Sequence, residues 1–347
     1  MITVSARCTC GPNESFRATT IARRDPRPQD VVIDIAYAGI CHSDVEHARS
    51  TRGKTLYPLV PGHEVAGIVS AVGESVTRFR VGDRVGVGNM VDACGVCERC
   101  GVGLEQYCAR RVLAYNAIGH DGERTYGGYS EKTVVDERFV VHVPDAIALQ
   151  NAAPLLCAGI TMYSPLRHGA VGPGKRVGIL GFGGLGHVGV QMARAMGAHT
   201  TVIDLSAAKR ADALRLGADA YVVGGDPDAL SPLKDSLDLI ISTVALENLD
   251  PYIDLLGIDG TFVNLSIPAQ QIRVSAALIL ANRRSIAGTR SGGLAETQEM
   301  LEFCAAQGIA AEVEIIHADA IDAAYKRLLA GDVRFRFVIE GSTLAKD

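Results

Sequence analysis

An excess of positive charge is missing from this sequence. Lys and Arg number 34 against 39 Asp and Glu, a net charge of −5. That argues against a dedicated nucleic-acid binder, whose phosphate contacts need clustered cations. A secretory leader is missing too, because Met1-Ile2-Thr3-Val4-Ser5-Ala6-Arg7 has no long apolar core. The one uncharged stretch of membrane-spanning length, Ala146 to Leu166, is broken by Gln150, Asn151, Pro154 and Pro165 and reads as buried linker and helix. Internal repeats and low-complexity tracts are absent, tryptophan is absent, and aromatic residues amount to 5%. Apolar residues are plentiful at 48% against 21% charged, with 38 glycines. That composition excludes a disordered chain, and 347 residues predict two domains rather than one. The balance suits a soluble cytoplasmic protein that acts on a small molecule.

The nine cysteines are an odd number, which with no leader disfavours a disulfide framework and favours metal ligands or free thiols. Four of them form Cys94-Gly-Val-Cys97-Glu-Arg-Cys100-x7-Cys108. Two-residue gaps let a tight turn aim successive thiolates at one point, and the longer gap lets the chain return to close a tetrahedron. Four sulfurs with no open position make a structural zinc site. A redox thiol cluster or an iron–sulfur site is the alternative, against which no Pro follows the fourth Cys and no second such run exists.

Up to about residue 140 the chain reads as short β segments, among them Val31–Tyr37, Val65–Val72 and Arg84–Val87. From about residue 150 strands and helices alternate. Strands are expected at 176–180, 200–204, 220–223, 237–242, 261–265 and 285–288, with helices at about 187–196 and 207–216. Such alternation implies a parallel sheet covered on both faces. Gly181-Phe182-Gly183-Gly184-Leu185-Gly186 lies between the first of these strands and its helix, and Asp204 ends the next strand. The glycines let a pyrophosphate approach the helix N-terminus. Asp204 can accept from the ribose hydroxyls and would repel a 2′-phosphate, favouring NAD over NADP. Lys209 and Arg210 could instead serve that phosphate, or be solvent-facing helix charge.

Cys41, His63 and Cys157 are far apart in sequence. Two thiolates and one imidazole suit a catalytic zinc with its fourth position open. Spacing alone does not bring them together, and from composition alone Cys157 reads better as a buried apolar thiol and His63 as a turn histidine. Cys8 and Cys10 read as unligated thiols of an N-terminal strand, and Cys304 as core. His120, His142, His168, His199 and His317 read as structural or exposed.

Several stretches carry a resemblance: Ala38-Gly39-Ile40-Cys41-His42-Ser43-Asp44, Tyr57-Pro58-Leu59-Val60-Pro61-Gly62-His63-Glu64 and the Cys94–Cys108 lobe, followed by residues 153–161, 183–187 and 292–300. In this order they resemble the zinc-dependent medium-chain dehydrogenase/reductase superfamily, and within it the cinnamyl alcohol dehydrogenase-like branch and its bacterial aldehyde-reductase relatives. The resemblance implies an α/β chain: a GroES-like β-rich catalytic domain over 1–148 with a structural-zinc lobe at about 90–110, a Rossmann domain over 149–288, and a C-terminal return over 289–347. It implies two zinc ions, one held by Cys41, His63 and Cys157 with Glu64 able to enter or leave, the other by Cys94, Cys97, Cys100 and Cys108. Asp44 would orient His63, and Ser43 would take the alcohol proton. His42 would sit near the cofactor pyrophosphate and Thr161 near the nicotinamide. Many relatives pass the proton on through a histidine at the position of Glu46; here Glu46, the adjacent His47, or water would serve.

The implied activity is reversible hydride transfer between a nicotinamide cofactor and a primary alcohol or aldehyde, aromatic or medium-chain, in a homodimer. A zinc-free quinone or enoyl reductase would lack Cys41, His63 and the four-cysteine lobe. A non-catalytic nicotinamide- or redox-sensing protein would keep Gly181–Gly186 without needing Ser43, Asp44 and Glu64 around an open zinc.

Overall fold

The computed structural model describes residues 1–345. They form two compact units, one of residues 1–157 with the C-terminal segment from 292 onward, the other of residues 158–291.

In the first unit β-branched runs build a mixed seven-stranded sheet. Its order is Val313–Ile316, Arg336–Glu340, Asp30–Ile40, Val65–Val72, Arg84–Val87 and Val141–His142, with Lys132–Asp136 also pairing with the long central strand Asp30–Ile40. Every pairing is antiparallel except that of the two C-terminal strands. Register breaks after Val32 and Ile35 let the central strand coil against Val65–Val72. Alternate side chains of these strands meet in one core that includes the fully buried Ile33, Tyr129 and Phe337. Each such side chain contributes roughly 1.5–3 kcal/mol on burial.

Two expected boundaries move. Helix Leu149–Pro154 belongs to the first unit, because it packs on the strands Asp30–Ile40 and Val65–Val72. The C-terminal return begins at Gly292, not 289. The uncharged stretch 146–166 is this helix, a single π turn Leu155–Gly159 and helix Ile160–His168. No helix among the described residues is long and apolar enough to cross a membrane.

The second unit is a six-stranded, wholly parallel sheet. Its order is Ala220–Val223, His199–Asp204, Arg176–Leu180, Leu237–Ser242, Leu256–Asn264 and Ser285–Gly288. Counted along the chain this is 3-2-1-4-5-6, the doubly wound order that places a dinucleotide at the carboxyl ends of the central strands. Strand Leu256–Asn264 starts earlier than the apolar run 261–265 suggests, because Gly257 and Asp259 mask its beginning. Helix Arg210–Leu216 stops at Gly217, whose φ of +110° suits a residue without a Cβ. Ile203, Ile240 and Phe262 are fully buried among the apolar side chains of this sheet.

Candidate active site and metal centres

Three separate segments bring Cys41, His63, Glu64 and Cys157 together. Cys41 precedes helix His42–Ala48 and is extended, so its side chain leaves the helix start. The third residue of that helix, Asp44, is completely buried, and its carboxylate reaches back to accept from the Cys41 N–H at 2.9 Å. The same carboxylate accepts from the Gly62 N–H at 3.2 Å and lies 3.0 Å from His63 Nδ1. His63 follows the turn at Gly62, where φ is +107° and a Cβ would run into Tyr129 and the Gly128 nitrogen. That turn is bonded to residues 127–129 through Gly127 N–H to Val60 O, Gly128 N–H to Gly62 O and Tyr129 N–H to Pro61 O. Buried Arg23 clamps the same segment, donating to the carbonyls of Tyr126, Gly127 and Lys132 and to Ser130 Oγ. Cys157 comes from the π turn, a local widening of the helix that re-aims one side chain.

The donor atoms of these four side chains all lie within 4.8 Å of one another. Cys41 Sγ and Cys157 Sγ are 4.0 Å apart, and His63 Nε2 is 3.3 Å from Cys157 Sγ. Ligand distances of about 2.3 Å for sulfur and 2.0 Å for imidazole nitrogen give tetrahedral edges of about 3.8 Å and about 3.5 Å, so the spacing fits zinc. With Nδ1 turned to Asp44, Nε2 is the nitrogen left for a metal. Hydrogen bonding from Cys157 and His63 outweighs burial and pulls the Cys41 thiol well below its usual range, while Cys41 and burial push Cys157 up.

Arg336, which sequence reasoning missed, also reaches this cluster. Its buried guanidinium donates to Glu64 Oε1 and, at 2.9 Å, to Ile40 O. Glu64 Oε1 also lies 4.0 Å from His63 Nε2, while Oε2 is buried without a partner. Burial raises the Glu64 carboxyl to about 7 despite the guanidinium. Gly39 makes room, since a Cβ there would collide with the Glu64 carboxylate. Nothing local in the sequence marks Arg336: a cation in an apolar strand reads as an outward-facing residue.

Ser43 and Glu46 lie one turn apart on the helix, and Arg52 Nη1 donates to both, at 3.2 Å to Ser43 Oγ and 3.0 Å to Glu46 Oε2. His47 faces elsewhere. Its Nδ1 is 3.0 Å from Asn116 Nδ2, its ring meets Tyr115 edge-on, and burial pulls its pKa down. His42 is exposed.

The four-cysteine lobe closes on itself. Cys94–Cys100, Cys97–Cys100 and Cys94–Cys108 sulfurs are 3.9, 3.5 and 3.5 Å apart, again matching tetrahedral zinc. Amide donors at Val96 and Cys97 pull the Cys94 thiol down to about 6.

In the second unit the loop Gly181–Gly186 links strand Arg176–Leu180 to helix Gly186–Ala195. Gly181 has φ +91° and a Cβ on it would strike Thr243 and Val244, whereas Gly183 faces open space. The loop therefore exposes backbone at the helix N-terminus, which fits a dinucleotide pyrophosphate. Phe182 is fully buried, and Gly184 and Leu185 complete the turn into the helix. Asp204 accepts from the Phe182 N–H at 2.7 Å and the Ser206 N–H at 3.2 Å, tying the loop to the end of the next strand. Arg210 donates to Tyr221 O at 2.9 Å and stacks on that ring, while Lys209 ends the short turn before it. Thr161 lies in helix Ile160–His168 of this unit.

A doubly wound sheet with this loop, joined in one chain to a β-rich unit with two zinc-fitting donor sets, defines a zinc-containing nicotinamide dehydrogenase. Residues 27–145 match the alcohol dehydrogenase GroES-like domain and residues 184–306 the zinc-binding dehydrogenase family. The chain is 52% identical to NADP-dependent alcohol dehydrogenase C of Mycobacterium bovis, over 99% of this chain and 100% of that one. Among solved structures it is similar to a cinnamyl alcohol dehydrogenase from Sorghum bicolor, with TM-score 0.97 and 39% identity over 100% of both chains. It is also similar to the CAD from Helicobacter pylori complexed with NADP(H), with TM-score 0.92 and 39% identity over 98% of this chain and 99% of that one. The chain belongs to the zinc-binding alcohol dehydrogenases, in the cinnamyl alcohol dehydrogenase-like branch.

Proposed function

We propose that this alcohol dehydrogenase works chiefly as a reductase of aromatic or medium-chain aldehydes, with a catalytic zinc on Cys41, His63 and Cys157 and a structural zinc on Cys94, Cys97, Cys100 and Cys108. The convergence of Cys41, His63, Glu64 and Cys157 carries this reading. When bound, zinc supplies Lewis-acid polarisation of the substrate oxygen, and the nicotinamide gives or takes the hydride. The protein's own groups do the rest. Asp44 fixes the imidazole of His63 in one orientation and tautomer. Arg336 holds Glu64 within reach of the donor set. Ser43 moves the alcohol proton. Glu46, sharing the Arg52 guanidinium with Ser43, is the side chain that passes it to solvent, whereas His47 is committed to Asn116 and Tyr115. A non-catalytic binding protein would have no need of this buried acid–imidazole–thiol arrangement.

For the cofactor we infer NAD(H). The relatives from Mycobacterium bovis and Helicobacter pylori carry NADP in their names. Here a carboxylate, Asp204, ends the strand beside the glycine loop, and Arg210 is engaged by Tyr221. A 2′-phosphate would meet that negative charge. The copies are inferred to pair through the edge strand Ser285–Gly288, which is exposed along its length. Ile286 within it is 42% exposed, Leu280 is 78% exposed, and helix Ala276–Ala281 buries no residue. The free thiols suit a reducing, cytoplasmic setting.

Purified protein is expected to hold two zinc ions per chain and to oxidise NADH when given cinnamaldehyde. Cys157→Ala is expected to retain one zinc and lose turnover; full activity in that variant would rule out the assigned ligand set. Asp204→Ser is expected to raise the NADPH-to-NADH ratio of kcat/KM by about tenfold or more, since relief of a like-charge contact is worth at least about 1.4 kcal/mol. An unchanged ratio would remove Asp204 from cofactor choice. Light scattering is expected to give twice the chain mass, shifted toward monomer by Ile286→Asp; a monomeric wild type would end the pairing proposal.

A further inference from the structure

The two metal-donor sets absorb six cysteines, and Cys304 is fully buried with its sulfur 3.7 Å from Met300 Sδ. Cys8 and Cys10 are left, and they are not isolated from each other. Cys8 ends strand Ile2–Cys8, directly opposite Arg17 on the paired strand Arg17–Arg23. Side chains two positions apart share a face, and the chain bends at Cys10. The two thiols are close enough to influence each other, and the Arg17 guanidinium lies beside them, with Nη2 2.7 Å from Cys10 Sγ. Cys10 is partly exposed, whereas Cys8 is 3% exposed.

The pair is asymmetric. The accessible sulfur is the one to which the Arg17 guanidinium donates, and it is the one a peroxide in solvent can reach. The partner sulfur is buried, and burial together with the neighbouring Cys10 pushes the Cys8 thiol up, keeping it protonated. An accessible sulfur next to a waiting thiol is the arrangement that peroxides oxidise reversibly.

We propose that Cys10 and Cys8 form an oxidation site for hydroperoxides, Cys10 attacking and Cys8 resolving, separate from both zinc sites. The Cys10 sulfur attacks the O–O bond. An S–O bond forms, the O–O bond breaks, and the departing alkoxide or hydroxide takes the thiol proton, leaving a sulfenic acid. The Cys8 sulfur then attacks that sulfur. The S–S bond forms, the S–O bond breaks, and hydroxide leaves as water with the Cys8 proton. Two thiols are oxidised to one disulfide, and the hydroperoxide is reduced by two electrons to an alcohol and water, or to two waters for hydrogen peroxide.

The test treats the zinc-loaded protein with hydrogen peroxide, alkylates remaining thiols and digests with trypsin. Cleavage after Arg7 and Arg17 isolates Cys8 and Cys10 in one peptide with no other cysteine. The expected product is that peptide two hydrogens lighter and unalkylated, converted back by dithiothreitol, with the zinc content unchanged. Cys10→Ser is expected to leave Cys8 alkylatable after the same treatment, and Arg17→Met to slow disulfide formation several-fold while Arg17→Lys largely retains it. Both thiols still alkylatable when zinc begins to leave the protein would overturn the proposal. So would a sulfinic acid on Cys10 beside an alkylatable Cys8, or an Arg17→Met rate equal to wild type. None of these outcomes depends on the dehydrogenase activity.

Discussion

A single buried carboxylate joins two of the three segments that supply the candidate catalytic donor set. Asp44 accepts from the Cys41 N–H and the Gly62 N–H and faces His63 Nδ1, so one side chain sets the helix start, the glycine turn and the imidazole. Hydrogen bonds to a charged group contribute about 1.5–3 kcal/mol each. An unpartnered buried carboxylate would be strongly destabilising, so the three partners are required by its burial as much as they are served by it. The charge also acts at a distance. Burial and then Asp44 hold the phenols of Tyr115, Tyr129 and Tyr325 well above their usual range, which keeps the packing around the site neutral. Burial opposes protonation of His63, and Asp44 overrides it.

Two buried arginines complete this frame by different means. Arg23 has only carbonyls and a hydroxyl as partners, and burial lowers it to about 10, yet it remains a cation that pins the segment behind the Gly62 turn. Arg336 pairs with Glu64 inside the sheet, where removing one partner leaves the other charged and buried, a loss of about 3–5 kcal/mol in comparable cases. Glu64 is thereby held close to the donors with one oxygen unpaired. The strand that carries Arg336 belongs to the C-terminal return, so the end of the chain finishes a site begun near its start.

How much of this was legible depended on the distance over which each feature is encoded. The clustering of the four-cysteine lobe could be read because its sulfurs lie within one short segment and its turns are local. The dinucleotide loop could be read because strand, glycines, helix and the following acid run in order. The candidate catalytic donors could not be read from spacing, since a sheet and a π turn, not a motif, bring Cys41, His63 and Cys157 together; resemblance pointed to them. Arg336 meets Glu64 across 272 positions, and no periodicity announces such a contact. Glu46 and His47 illustrate the same limit within one helix. Three and four positions after Ser43, both lie on its side of the helix, so spacing does not choose between them, and the choice is made by Arg52 and Asn116 from surrounding loops. The edges of the two units moved because helix Leu149–Pro154 is apolar enough for either sheet and its packing, on Asp30–Ile40, decides.

The claim that Asp44 organises the catalytic metal site is tested most directly by zinc affinity. Chelator competition on Asp44→Asn, which keeps the side chain's shape and removes its charge, should show zinc bound about 10- to 100-fold more weakly at one site. The four-cysteine zinc should be unaffected. Equal affinity at both sites in the variant and the wild type would contradict the account.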